Sequence, residues 1–175
     1  NLTSILNDFL SLSKLEEGKV LSQPVEFIFN DFCSDLLEDI LPILKPGQKV
    51  VSPTENLQTV LFLDHKLLKN ILLNLFSNAI KYSEQDKSIY FDFSMDEKWL
   101  YFTIRDEGIG IPLEEQEHLF TRFFRAHNVE NIQGTGLGLT IVKRYLELMD
   151  GSIHFESQLG IGTFFKISLP RISQI

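Results

Sequence analysis

The sequence predicts a two-layer α/β fold, a mixed and mainly antiparallel sheet with helices on one face plus a short N-terminal helix. Three observations predict it. Residues 67–83, LLKNILLNLFSNAIKYS, contain no Pro or Gly and carry apolar side chains at helical spacing. Residues 88–94 and 98–105 each alternate apolar with polar and are close enough to form a hairpin. Helical and strand-like runs alternate along the chain, but the hairpins exclude an all-parallel sheet.

Each element has its own signal. Residues 1–18 form an amphipathic helix: Leu2, Ile5, Phe9 and Leu12 recur in steps of three and four, Leu6 and Leu10 widen the face, and Gly18 is the stop. No partner stands in its own neighbourhood, which favours the end of a dimerising hairpin over a helix docked on the domain itself. The chain therefore divides at residue 20, with one domain over 21–175. Residues 24–28 alternate as a strand, and a helix over about 30–44 is capped by Asn30 or Asp31. Pro46-Gly47 makes a turn, 49–51 and 59–63 are short β runs, and Asp64 caps the central helix. Met95, Asp96 and Glu97 link the hairpin. Residues 106–136 are glycine-rich loop, broken by a short helix near 113–124. A helix over 137–149 precedes Gly151, and strands 152–157 and 163–169 flank the turn from Leu159 to Gly162.

Composition narrows the function. The 175 residues suffice for one domain and a small appendage, and 43% are hydrophobic, with fifteen Phe to make the core aromatic. A net charge of −8 argues against non-specific attraction to nucleic acid or anionic membrane. Any phosphate site must therefore be built locally from a few cations and backbone N–H groups. The single Cys33 leaves no internal disulfide, fits a reducing compartment, and reads as a small core residue. No apolar run approaches the roughly 20 residues of a membrane span, and no signal peptide is visible. Beginning at Asn1 within a helical pattern, the chain reads as a fragment of a longer protein.

Four stretches carry chemistry. Asn74 and Asn78 project together at i and i+4 from a largely buried helix, with Lys81 near the next turn. An unpaired buried amide costs about 1–3 kcal/mol, so the pair is either a core network or a site for a hydrated cation and phosphate. Asp106-Glu107-Gly108-Ile109-Gly110-Ile111-Pro112 follows a strand; its glycines let backbone approach a flat ligand. Ionised Asp106 accepts only, which suits the amine of adenine and repels the oxygen of guanine. An ordinary turn is the alternative. His118 to Arg125 reads as a flap held by Phe120, Phe123 or Phe124, from which Arg122 or Arg125 reaches terminal phosphates, or as an amphipathic turn with solvated Arg. Gly134-Thr135-Gly136-Leu137-Gly138-Leu139 opens a helix and exposes N–H groups suited to phosphate oxygens. It has neither the GxGxxG spacing of a dinucleotide fold nor the Lys-Ser/Thr ending of a P-loop.

In this order, and closed by Gly162-Thr163, the motifs resemble the catalytic ATP-binding domain of bacterial sensor histidine kinases, within the gyrase/Hsp90/histidine-kinase/MutL superfamily. The likeness covers roughly residues 24–170. NLFSNAIKYS is similar to the family's asparagine box, DEGIGIP to its first glycine box, LFTRFFR to its phenylalanine box, and GTGLGLTIVKRYLELMDGSI to its second glycine box with the following helix. SILNDFLSLSKLEEGKV resembles the last turns of the dimerisation hairpin. Gln133, where many members have Gly, departs from the pattern and bears on lid flexibility.

The resemblance implies a Bergerat-type sandwich with ATP or ADP between the central helix and a lid. It implies that Asn78 binds Mg²⁺ with Asn74 nearby, that Lys81 and Arg125 contact phosphates, and that Tyr82 lines the cleft. Asp106 would read adenine, supported by Thr163 and shaped by Gly108 and Gly110. Gly134, Gly136 and Gly138 would wrap the phosphates, and Ile111, Thr135, Leu137 and Leu139 join the nucleotide-binding set. Hydrolysing relatives carry a carboxylate near Asn74; an amide takes no proton at neutral pH, so transfer to a held nucleophile is expected over hydrolysis. The acceptor in such kinases is a His followed by an acidic residue. His65, His118, His127 and His154 do not fit, so the acceptor is expected upstream, outside this chain. A response-regulator receiver domain, a homodimer formed through the hairpin and a cytoplasmic location follow from the same resemblance. Any membrane anchor would belong to absent regions. An ATP hydrolase or a nucleotide-dependent interaction module of the same fold are the alternatives.

Overall fold

The computed structural model describes residues 2–52, 58–129, 132 and 134–172. In chain order its elements are α1 (Leu2–Glu16), β1 (Val25–Ile28), α2 (Phe29–Ile40), β2 (Lys49–Val51), β3 (Val60–Leu63), α3 (His65–Tyr82), β4 (Ser88–Met95), β5 (Trp99–Arg105), α4 (Gly138–Leu148), β6 (Ser152–Gln158) and β7 (Gly162–Pro170). Short 3-10 turns lie at Leu41–Ile43, Leu113–His118 and His127–Val129. The main sheet has the order β2-β4-β5-β7-β6, and β1 pairs with β3 in a separate ribbon. Among the described residues only the β2–β4 pairing is parallel; the others are antiparallel. The mixed, mainly antiparallel two-layer architecture is the predicted one.

Alternation along the strands decides where the helices sit. Ile89, Phe91 and Phe93 of β4, Leu100, Phe102 and Ile104 of β5, and Phe165, Ile167 and Leu169 of β7 are buried on one face. There they meet Leu68, Ile71, Leu72, Leu75 and Phe76 of α3, Ile141 and Val142 of α4, and Phe29 and Leu36 of α2. The phenylalanines interlock: Phe29 and Phe93 have ring centroids 4.4 Å apart, and Phe93 and Phe102 5.1 Å. Burying each such side chain contributes about 1.5–3 kcal/mol. The opposite face is polar, with Arg105 stacked over Tyr90 at 4.0 Å and Lys166 over Tyr101 at 4.4 Å.

Several elements depart from their predicted form. Neither Asn30 nor Asp31 caps α2: Ile28 holds the cap position and makes no side-chain cap bond. The Phe29 N–H instead donates to Thr59 O at 2.9 Å, so the neighbouring chain satisfies that helix end. The α-helix stops at Ile40 rather than Leu44 because Pro42 cannot donate, and a 3-10 turn follows. Met95 belongs to β4, and Asp96 closes the hairpin by accepting from Lys98 N and Trp99 N, both at 2.8 Å. The helix expected over 113–124 is a 3-10 turn that ends at His118. Beyond it Phe123, at φ 61°, donates its N–H to Gly136 O at 3.0 Å, a cross-loop bond that diverts the backbone from helix. Asn74 and Asn78 are half-buried rather than buried, and Asn78 lines an open cleft.

The N-terminal helix is only partly packed on the domain. Leu12 is buried in the core, while Leu2, Ile5, Leu6, Phe9 and Leu10 are exposed. Polar contacts tie α1 to the loop before α4: the Thr135 hydroxyl donates to Asp8 Oδ2 at 2.9 Å, and Arg122 pairs with Glu16. One edge of α1 is docked and its apolar stripe faces solvent.

Candidate functional site

A cleft opens where the C-terminal half of α3 meets the loop after β5 and the start of α4. Asn78 and Tyr82 line it from α3, Asp106, Gly110 and Ile111 from the loop after β5, and Gly136, Gly138 and Leu139 from the start of α4. Thr163 and Phe165 of β7 complete the floor, and Arg125, Ala126, Asn128 and Val129 form the outer wall. Residues from separate stretches of the sequence thus share one cavity.

Asp106 is 7% exposed at the end of β5. Its Oδ1 accepts from Gly108 N at 2.9 Å and Thr163 N at 3.2 Å; neither bond uses Oδ2. Burial pushes the carboxyl up to about 6, against the opposing pull of these N–H donors and of Arg105. The backbone is equally fixed, with Asp106 N donating to Thr163 O at 2.9 Å. The Thr163 hydroxyl pairs with Ser157 Oγ at 2.8 Å, and Ser157 Oγ accepts from Ile111 N at 2.9 Å. The carboxylate is therefore a rigid acceptor at the base of the cleft.

The glycine loops are close approaches of backbone to backbone. Gly110 sits at φ 70°, and a Cβ there would lie 2.2 Å from Gln158 O. Gly136, at φ 72°, would bring a Cβ to 2.7 Å from the Phe123 carbonyl carbon. Side chains at either position would separate the loops that form the cleft.

The cations are arranged less directly. Lys81 is outside the cleft lining; desolvation holds its ammonium below the usual lysine range, Arg125 adds to that, and Asp8 opposes it. Arg125 lines the cleft but donates to Val129 O at 2.7 Å and to Ile132 O, while its buried Nε lacks a partner. Arg122 is exposed and turned to Glu16 on α1. Burial raises the Tyr82 phenol, with Arg125 opposing.

Of the residues singled out in the sequence, Asn78, Tyr82, Asp106, Gly110, Ile111, Arg125, Gly136, Gly138, Leu139 and Thr163 line the cleft. Gly108 stands just behind Asp106, where a Cβ would meet Tyr82 O at 2.4 Å. Gly134 lies beside Tyr82 and Arg125, since a Cβ there would be 3.7 Å from the Tyr82 hydroxyl and 3.8 Å from Arg125 Nε. The Thr135 hydroxyl accepts from Leu137 N at 3.1 Å just before α4, whose cap residue Leu137 makes no side-chain cap bond. Leu137 is buried in the core. Asn74 donates to Asn70 O at 2.9 Å, and its Oδ1 lies 3.0 Å from where a Gly138 Cβ would stand. Gln133 lies outside the described residues. Ala126, Asn128, Val129 and Phe165 line the cleft without having been singled out, and Leu119 and Phe124 line it from the flap stretch that was. Asn128 donates to Gly110 O at 3.0 Å and leaves its buried Oδ1 without a partner.

Residues 63–173 match the histidine kinase-, DNA gyrase B- and HSP90-like ATPase family. The chain belongs to that family. It is 33% identical over 175 residues to the circadian input-output histidine kinase CikA of Synechococcus elongatus, covering 97% of this chain and 23% of that protein. It is 36% identical over 177 residues to the sensor protein GacS of Pseudomonas syringae, covering 97% and 20%. The chain thus spans about a fifth to a quarter of the length of these relatives. In fold it is similar to full-length ShkA in complex with AMPPNP, at a TM-score of 0.81 and 23% identity over 99% of this chain and 37% of that one. Among the described residues no helix is long and apolar enough to cross a membrane.

Proposed function

We propose that this chain is the Mg·ATP-binding catalytic part of a two-component sensor histidine kinase. It transfers the γ-phosphoryl group to a His on an upstream helix, for onward transfer to a response-regulator receiver domain. The observation that carries this reading is the convergence of Asn78, Asp106 and the two glycine loops on one cleft. Asp106, with Oδ2 outside its backbone bonds, accepts the adenine amine; Gly108, Gly110, Ile111 and Thr163 hold it in place. Gly134, Thr135, Gly136, Leu137, Gly138 and Leu139 shape the phosphate end. Among the described residues no group of three or more His, Cys, Asp or Glu stands ready for a metal. A Mg²⁺ ion would therefore be held by the Asn78 amide oxygen with phosphate oxygens and water, a donor set that suits it. When bound it would neutralise phosphate charge. Lys81 would add to that neutralisation. Arg125 would do so by exchanging its carbonyl partners for phosphate, and Arg122 by leaving Glu16. Asn74 carries no base for water, which favours transfer over hydrolysis.

Residues 1–20 are the end of a dimerisation hairpin, and residues 21–175 are the catalytic domain. The exposed stripe of α1 would meet the rest of that hairpin in a cytoplasmic homodimer, with any membrane anchor elsewhere in the parent protein. The test mixes this chain, Mg²⁺ and ATP labelled at the γ-phosphate with the upstream acceptor hairpin. Acid-labile, base-stable label on the hairpin is expected. Label released only as free phosphate would favour a hydrolase, and no turnover would favour an interaction module.

A further inference from the structure

The central helix lacks the usual C-terminal devices. Ser83 follows α3 in an extended conformation, φ −100° and ψ 147°, and no glycine marks the stop. The last four carbonyls of a helix find no partner within it. Three of these four are met from distant sequence. Gln48 Nε2 donates to Ile80 O at 3.2 Å, Lys45 Nζ to Lys81 O at 2.8 Å, and Ile109 N to Tyr82 O at 3.1 Å. The same side chains reach past the helix end: Lys45 Nζ donates to Ser83 O at 2.7 Å, and Gln48 Nε2 to Ser83 O at 3.2 Å and Glu84 O at 3.0 Å. A lysine cation at this end is also favoured by the helix dipole.

Both donors sit on one turn. Gln48 N donates to Lys45 O at 3.0 Å, with Pro46 and Gly47 between them and Gly47 at φ 75°. Gln48 Oε1 accepts from Lys45 N at 2.9 Å, which fixes its amide with Nε2 toward the carbonyls. Gln48 is 6% exposed, so this amide is committed to the cap. Asp86 N donates to Pro46 O at 3.2 Å, and a Cβ on Gly47 would lie 1.8 Å from Asp86 Oδ1. The turn before β2 is thereby locked onto the chain leaving α3.

We propose that Lys45 and Gln48 are positioning residues for the cleft, acting through the last turn of α3. That turn carries Lys81 and Tyr82 and follows directly on Asn78. The Tyr82 carbonyl holds the Ile109 N–H, and the preceding residue, Gly108, donates to Asp106. Removing the cap frees the last turn, releases Ile109 and lets the Asp106 loop drift from the α3 wall. The proposal rests on the reading of the cleft as a nucleotide site.

The test uses the full chain with Lys45→Met, Lys45→Arg and Gln48→Glu. Lys45→Met keeps the aliphatic stem without its charge. Gln48→Glu keeps size and the acceptor for Lys45 N, but turns an oxygen toward three carbonyls. Amide hydrogen exchange at Ile109 is compared with Phe102 and Ile167 in the central strands, and Mg·ADP affinity is measured by calorimetry. Lys45→Met and Gln48→Glu are expected to speed Ile109 exchange and weaken Mg·ADP by about tenfold or more, with Phe102 and Ile167 within about twofold of wild type. Lys45→Arg, still a cationic donor, is expected to restore both readouts to near wild type. Unchanged Ile109 exchange, or unchanged affinity, overturns the proposal. So does an equal rise at Ile109, Phe102 and Ile167, which would mark general stability. If wild type itself fails to bind Mg·ADP, the nucleotide reading falls and takes this proposal with it.

Discussion

Asp106→Asn separates the cleft's chemistry from its stability. The Asn Oδ1 can keep both bonds that Asp106 Oδ1 now accepts, from Gly108 N at 2.9 Å and Thr163 N at 3.2 Å. The change falls on Oδ2, where an acceptor becomes an NH₂ donor that would face the donor amine of an adenine held there. Losing one charge-assisted hydrogen bond costs about 1.5–3 kcal/mol, or roughly ten- to 150-fold in affinity. Folding moves the other way. The native carboxyl is raised from 3.8 to about 6, so the folded state holds its proton more tightly than the unfolded chain. Stability from this group is present below the unfolded value and lost as pH rises through about 6. At 1.36 kcal/mol per unit, the ionised form at pH 7 carries a penalty on the order of 3 kcal/mol. Asn carries no charge and avoids it. The variant should bind Mg·ADP at least about tenfold more weakly by calorimetry, yet melt at or above the wild-type temperature at pH 7, with the gap closing toward pH 4. Unchanged ADP affinity refutes the adenine role; a lower melting temperature at pH 7 refutes the desolvation argument.

The same raised carboxyl makes binding proton-linked: wild-type ADP affinity is expected to weaken as pH falls below about 6, and Asp106→Asn to show a flat profile in titrations over that range. Gly110→Ala forces a left-handed residue against Gln158 O, and chemical denaturation should show a loss of about 1–3 kcal/mol. Asn78→Ala is expected to abolish phosphoryl transfer to an acceptor hairpin while ADP binding changes less; equal loss of both would indicate a folding defect. Ser83 is 1% exposed with its Oγ unpartnered, so Ser83→Ala should leave the melting temperature unchanged or raised, because the cost of a buried unsatisfied hydroxyl disappears.

What was legible in the sequence were features with local periodicity or a local stereochemical demand. Leu68, Ile71, Leu72, Leu75 and Phe76 announce α3 by spacing, Phe91 and Phe93 announce β4, and Asp64 is a working cap that accepts from Lys66 N and Leu67 N. The Asp106 and Gly136 loops are legible because glycine spacing records close approach. Where the partner is remote, the sequence is silent. The Lys45–Gln48 cap reaches α3 across 32 to 36 residues. The expected 113–124 helix fails for the same reason: Phe123 gives its N–H to Gly136 O in another loop. Pro42 was a local signal, and it ends α2 as proline chemistry requires.

Groups from α3, the loop after β5, the start of α4 and β7 are expected to bind one ligand together. A nuclear magnetic resonance titration of the chain with Mg·ADP, following the Asn78 side-chain amide and the backbone amides of Gly110, Gly136 and Thr163, tests it most directly. All four signals should move along one saturating isotherm. Signals that move at different ligand concentrations, or a set in which Asn78 or Thr163 stays still at saturation, would contradict the account.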